Sequence, residues 1–227
     1  MSELLLDIRD LIIEADIDGD WRPIVNGLSM GLHKGEIIGL IGESGAGKST
    51  FGLAGMGYTK PGCRIVSGSI KLEGEELVGG SPSRLREIRG NSVSYVAQSA
   101  AAAFNPAHRL IDQFIEAPVQ HGKLRSEEAA RRGQDLYRQL DLPDPDHIGN
   151  RFPHQVSGGQ LQRAMTAMAM GCDPRLIVFD EPTTALDVTT QIEVLSTIKE
   201  AVRARGVAAL YITHDLAVVA QLADRIM

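Results

Sequence analysis

An α/β fold built on a parallel sheet is the class this sequence predicts, and three observations predict it. In the last third, short apolar runs alternate with helical patterns: RLIVFD, a helix after Asp187, the strand VAALYIT and a helix from Asp215. Such alternation indicates parallel strands joined by crossover helices. A glycine-rich turn, GESGAGKST at 42–50, follows the apolar strand EIIGLI and precedes a helix candidate. The N-terminal third adds strand-like runs broken by Gly and Asp, which predict an antiparallel β subdomain beside that core.

Taken in order, LLLDIRDLII, IVNGLSMGL and GEIIGLIG read as strands, and RIVSGSIKLEGEEL as an antiparallel hairpin. VSYVAQ at 93–98 is a further short strand. From 99 to 160 the texture changes to Ala, Gln, Arg and Glu at helical spacing, as in SEEAARRGQDLYRQLDL. This stretch is expected to be a helical insertion in the α/β core. The expected organisation is one domain over 1–227. Residues 1–98 hold the β subdomain and the glycine-rich turn, 99–160 the insertion, and 161–227 the remainder of the core.

Composition narrows the function. A chain of 227 residues, 43% hydrophobic and 23% charged, can bury a real core. Its net charge of −6 argues against a nucleic-acid partner held by general electrostatics. Aromatics at 4% argue against a base-stacking surface. Cys63 and Cys172 lie far apart and outside any metal-ligand spacing, which suits free thiols in a reducing compartment. No apolar run approaches the ~20 residues that span a bilayer, so a membrane role is expected to be peripheral, through a partner.

The strongest chemical signal is the turn itself. Gly42, Glu43, Ser44, Gly45, Ala46, Gly47, Lys48, Ser49 and Thr50 fit G-x-x-x-x-G-K-[ST] in the strand–turn–helix context of a P-loop. Gly42, Gly45 and Gly47 let the backbone curl so that its N–H groups converge on phosphate oxygens. Lys48 brings a charge to the outer phosphates, Ser49 offers a hydroxyl to Mg²⁺, and the helix start adds its dipole.

LIVFDEP at 176–182 is an apolar strand ending in two carboxylates. Asp180 suits the metal-holding acid of a P-loop nucleotidase, and Glu181 a general base for the attacking water. Gln98 also ends a short strand, where it is expected to reach Mg²⁺ or that water. His214 follows VAALYIT at the same expected sheet edge, where a γ-phosphate contact is expected. In VSGGQLQR, Ser157 and Gln160 have capping-box spacing, and Leu161, Ala164, Met165 and Met168 continue a helix toward Gly171 and Pro174. Asp187 has the place of an N-cap.

In order, GESGAGKST, Gln98, VSGGQ, LIVFDE, TALD at 184–187 and His214 resemble the Walker A, Q-loop, signature, Walker B, D-loop and H-loop of ABC-type ATPases. The resemblance implies a P-loop, RecA-like core and an ATP- and Mg²⁺-dependent ATPase, with the ion held by Ser49, Gln98 and Asp180. Lys48, Gln98, Glu181 and His214 carry the catalytic expectations. It also implies that two ATPase subunits pack head to tail. Ser157, Gly158, Gly159 and Gln160 of one would then close on ATP held by the other, and Asp187 would belong to the D-loop. Trp21, upstream in DIDGDWRP, is the candidate support for adenine.

FNPAHRLIDQ, FPHQVSGGQLQRAMTAMAM, DEPTTALDVTTQ and THDLAVVAQLADR look like the oligopeptide, dipeptide and nickel importer branch. That branch implies integral membrane permease subunits, a second ATPase subunit and, indirectly, an extracytoplasmic substrate-binding protein. The location implied is peripheral, on the cytoplasmic face of the cell (inner) membrane. The rival reading is a soluble ABC-type ATPase of DNA repair or translation. Three departures stand out: Val156 where Leu is usual, SAAAAFNP after Gln98, and a chain that stops at RIM. The last suggests an incomplete sequence, because the branch continues into another strand and a C-terminal extension.

Overall fold

The computed structural model describes residues 3–184 and 186–227, so Ala185 of TALD lies outside the described residues. The chain divides into two compact units, Met1–Arg89 with Ala208–Met227, and Gly90–Val207.

The first unit opens with a long hairpin, β1 (Leu4–Ile17) and β2 (Asp20–His33), turned through Asp18 and Gly19, both at positive φ. These strands run longer than the apolar runs that announced them, because cross-strand pairing carries polar residues such as Asp16 and Asp20 into the ladder. After β3 (Ile37–Ile41) and α1 (Lys48–Ala54) come β4 (Cys63–Leu72), the two-residue β5 (Glu75–Glu76) and α2 (Pro82–Ile88). The antiparallel sheet has the order β2-β1-β4-β5. The expected hairpin over 64–77 is therefore mainly one strand, β4. Its length pairs with β1, and only Lys71 and Leu72 pair with β5.

The chain returns to this unit with β8 (Ala208–Thr213), α8 (Leu216–Leu222) and β9 (Arg225–Ile226). Both β8 and β9 pair with β3 in parallel, so the terminal RIM itself contributes a strand. Every residue of β8 and all but the last of β3 are buried, as expected for parallel strands covered on both faces.

In the second unit, β6 (Val93–Val96) leads to α3 (Ala100–Ala103), α4 (Leu110–Gln120) and α5 (Ser126–Gln139). Two short 3-10 turns at 148–150 and 153–155 precede α6 (Gly158–Met170), β7 (Leu176–Asp180) and α7 (Val188–Ala204). β6 and β7 pair in parallel. Phe114 and Tyr137 meet edge to face, with ring centroids 6.0 Å apart, and tie α4 to α5. α6 packs against α3, α4, α5, α7 and β6. Such enclosure buries Gln162, Thr166 and Ala167 together with Leu161, Ala164 and Met165, a wider face than the sequence pattern marked.

Candidate functional site

The glycine-rich turn lies between β3 and α1. Gly45 and Gly47 sit at φ +83° and +81°, a region costly for any residue with a side chain. Gly47 is also crowded, since a β-carbon there would collide with the Ile24 carbonyl. Gly42, by contrast, has ordinary space around it. The Lys48 side chain is buried, and its ammonium donates to the carbonyls of Gly42 (2.6 Å) and Glu43 (2.7 Å). The loop thus curls around its own cation, while Glu43, Ser44, Gly45 and Ala46 stay exposed. Ser49 and Thr50 follow in the first turn of α1.

His214 leaves the sheet beside this turn. Ile41 and Thr213 are paired in the β3–β8 ladder, so Gly42 and His214 are the next residues along two adjacent parallel strands. The His214 ring is exposed there. Asp215 caps α8 by accepting from the amides of Ala217 (2.8 Å) and Val218 (3.4 Å).

Trp21 stands apart from this group. Residues paired across an antiparallel ladder share a face, and successive residues alternate. Asp16 pairs with Trp21 and Glu14 with Arg64, whereas Ile13 pairs with Val25. Val25 is the side chain next to Gly47, so the indole lies on the other face of the β1–β2 ribbon. There the Arg64 guanidinium covers its ring at 3.9 Å from the centroid and also binds Glu14 at 2.8 Å.

The second unit gathers the acidic residues. Asp180 ends β7, is 6% exposed, and accepts a 2.5 Å hydrogen bond from the Tyr95 hydroxyl. Burial, and then the Asp180 carboxylate, push the Tyr95 pKa up, which keeps the phenol a donor. Glu181 follows with φ +46°, a left-handed conformation that costs a non-glycine residue on the order of 1 kcal/mol. Its Oε2 accepts from the Thr184 hydroxyl (3.1 Å) and from Gln98 Nε2 (3.3 Å). Gln98, Asp180 and Glu181 therefore form one cluster at the carboxyl ends of β6 and β7.

VSGGQ begins α6. Ser157 is the N-cap, accepting from the Gln160 amide (3.3 Å), and the Gln160 side chain accepts from the Ser157 amide (3.0 Å), which completes the capping box. Gly158 is exposed and Gly159 buried against α7. Asp187 caps α7 by accepting from the Thr190 amide (3.0 Å) and hydroxyl (2.7 Å). Those bonds, the hydroxyl's first, hold the Asp187 pKa below the usual carboxylate range.

Sequence reasoning passed over Tyr95, Thr184 and Thr190, which hold Asp180, Glu181 and Asp187 respectively. Strand parity offered a signal for Tyr95, a polar-tipped residue in a buried strand. The other two lie within four residues of a singled-out acid. A separate cavity of about 540 Å³, lined by residues that include Lys123, Arg131, Arg132, Cys172 and Arg175, holds none of the candidate residues. Ser92 and Arg175 set it at the amino ends of β6 and β7, away from the Gln98–Asp180–Glu181 cluster.

Among the described residues no helix is long and apolar enough to cross a membrane. Residues 25–184 match the family profile described as ABC transporter. The oligopeptide transport ATP-binding protein OppD of Lactococcus lactis subsp. lactis (strain IL1403) is 38% identical over 225 residues, 99% of this chain and 67% of that protein. The probable D,D-dipeptide transport ATP-binding protein DdpD of Escherichia coli (strain K12) is 39% identical over 228 residues, 100% of this chain and 69% of that one. The chain thus spans about two thirds of these relatives. Among solved structures, the ATP-binding cassette MJ0796, a dimer in a post-hydrolysis state bound to ADP and Pi, superposes with a TM-score of 0.85 at 22% identity. That likeness covers 98% of this chain and 93% of the cassette and establishes a shared fold, the α/β P-loop cassette. By the profile match and by the identity to these relatives over essentially its whole length, this chain is a member of the ABC transporter family.

Proposed function

We propose that this ABC transporter ATPase powers the import of peptides, or a related small solute, through partner membrane subunits. The observation that carries the reading is the 38–39% identity, over essentially the full chain, to ATP-binding proteins of oligopeptide and D,D-dipeptide transport. The absence of a membrane-crossing helix among the described residues suits a peripheral subunit, bound to integral permease subunits at the cytoplasmic face. A substrate-binding protein on the far side would deliver the solute. The rival, a soluble ATPase of DNA repair or translation, has no such relatives among those described above.

Hydrolysis of ATP requires in-line placement of water and charge stabilisation more than covalent chemistry. In the first unit, the turn 42–50 would wrap the phosphates with its amides, and Lys48 would exchange its two carbonyl partners for phosphate oxygens. His214, leaving the sheet beside Gly42, would meet the terminal phosphate. In the second unit, Glu181 would polarise the attacking water as general base, with Gln98 and Thr184 fixing its carboxylate.

The residues fit Mg²⁺ by donor chemistry. Ser49 in one unit, and Asp180 and Gln98 in the other, each offer the hard oxygen donor that this ion takes. Bound Mg²⁺ would neutralise charge on the phosphates. Ser157, Gly158 and Gly159, at the amino end of α6, would meet the nucleotide of a second ATPase subunit, and Asp187 would lie at that same junction. The Trp21 indole, covered by Arg64 on the far face of its ribbon, would then make no nucleotide contact.

Gentle solubilisation of membranes from the native cell, followed by identification of what co-purifies with the tagged chain, tests the reading. Two polytopic membrane proteins are expected. Recovery of ribosomal or repair proteins in their place would overturn the transport role.

A further inference from the structure

We propose that Tyr95 is the positioning residue of Asp180, fixing the rotation of its carboxylate so that it is ready to take Mg²⁺. This rests on the ATPase reading above. Tyr95 pairs in register with Val178 on the neighbouring parallel strand. Asp180 stands two residues beyond Val178, hence on the same face of the pair as the phenol. The hydroxyl meets Asp180 Oδ2 at 2.5 Å, at the short end for an O–H donor to a carboxylate.

A carboxylate needs such a hold. Its terminal torsion is broad and roughly two-fold, so an aspartate tethered only by its backbone samples many orientations. Asp180 is 6% exposed, so bulk water does little to orient or screen it. The tyrosine ring comes from a different strand, which makes the hold independent of Asp180's own backbone. Carboxylates that ligate metals are commonly held by such outer partners, and losing the partner typically costs 10–100-fold in metal affinity or activity. Strand pairing alone does not ask for a hydroxyl here, because phenylalanine would fill the same ring volume.

Tyr95→Phe in the full chain is the test. Binding of a fluorescent ATP analogue is measured in EDTA and again across a Mn²⁺ titration, with bound Mn²⁺ counted by electron paramagnetic resonance. The expected result is unchanged nucleotide affinity in EDTA and a rise of roughly tenfold or more in the Mn²⁺ needed for half-saturation. An unchanged Mn²⁺ dependence would overturn the proposal. So would an equal loss of affinity with and without metal, which would mark Tyr95 as a packing residue. If the unmutated chain gained nothing from Mn²⁺, the ATPase reading would fail first and take the proposal with it, a result distinct from failure of Tyr95 alone.

Discussion

Gly159 and Thr190 bring α6 and α7 together so closely that a β-carbon on Gly159 would lie 2.6 Å from Thr190 Cγ2. The second glycine of VSGGQ therefore has a packing reason as well as any role toward phosphate. Thr190 is also the partner of Asp187, so the starts of the two helices share one side chain.

Gly159→Ala is predicted to destabilise the protein. Alanine's better helix propensity, up to about 1 kcal/mol, is outweighed by an overpacking cost of about 1–3 kcal/mol. Adding Thr190→Ser removes Cγ2, keeps the hydroxyl that Asp187 accepts, and should restore most of the loss. Denaturant midpoints of the two single variants and the double variant check this. A Gly159→Ala protein as stable as its parent would mean that the helices are not in tight contact.

Ser157→Ala removes one half of the α6 capping box and should cost about 1 kcal/mol. Ser157→Asn keeps an N-cap acceptor and should recover the stability. If Ser157 also meets a partner's nucleotide, ATPase activity of the assembled complex should remain low in Ser157→Asn even though stability returns. Thermal midpoints and phosphate release, measured on the same samples, separate the two roles.

Lys48→Met should abolish the thermal shift that ATP gives the parent chain, because the loop loses the cation buried between Gly42 and Glu43. Glu181→Gln should bind ATP normally and lose 10²–10⁴-fold in turnover, the usual range for removing a general base. Parent-like phosphate release by Glu181→Gln would contradict the role given to that residue.

Trp21 is the only tryptophan of the chain, so its emission reports on its surroundings alone. Saturating ATP should leave that emission unchanged, while Arg64→Ala, which strips the guanidinium from the ring, should alter it. Strong quenching by ATP would return Trp21 to the nucleotide contacts.

The sequence made the α/β class and the phosphate-binding turn legible for a physical reason. Buried parallel strands such as β7 and β8 are continuous apolar runs, and a turn around phosphate requires glycines at positive φ beside a lysine. The capping residues Ser157 and Asp187 were legible too, since caps are local. The hold on Asp180 was not. Tyr95 reaches Asp180 across 85 positions, and only strand register brings them together. The face of Trp21 was likewise hidden, because a register shift between Ile13 and Glu14 sends Val25 and Trp21 to opposite sides. A bulge of that kind leaves no mark in periodicity.

Whether ATP hydrolysis by this chain powers peptide import can be read from the ATPase rate of the complex purified from the native cell and reconstituted in lipid vesicles, with and without peptides and their binding protein. Hydrolysis is expected to accelerate when peptide-loaded binding protein is present, and to be lost with Glu181→Gln. Hydrolysis that ignored every peptide and small solute offered would contradict it.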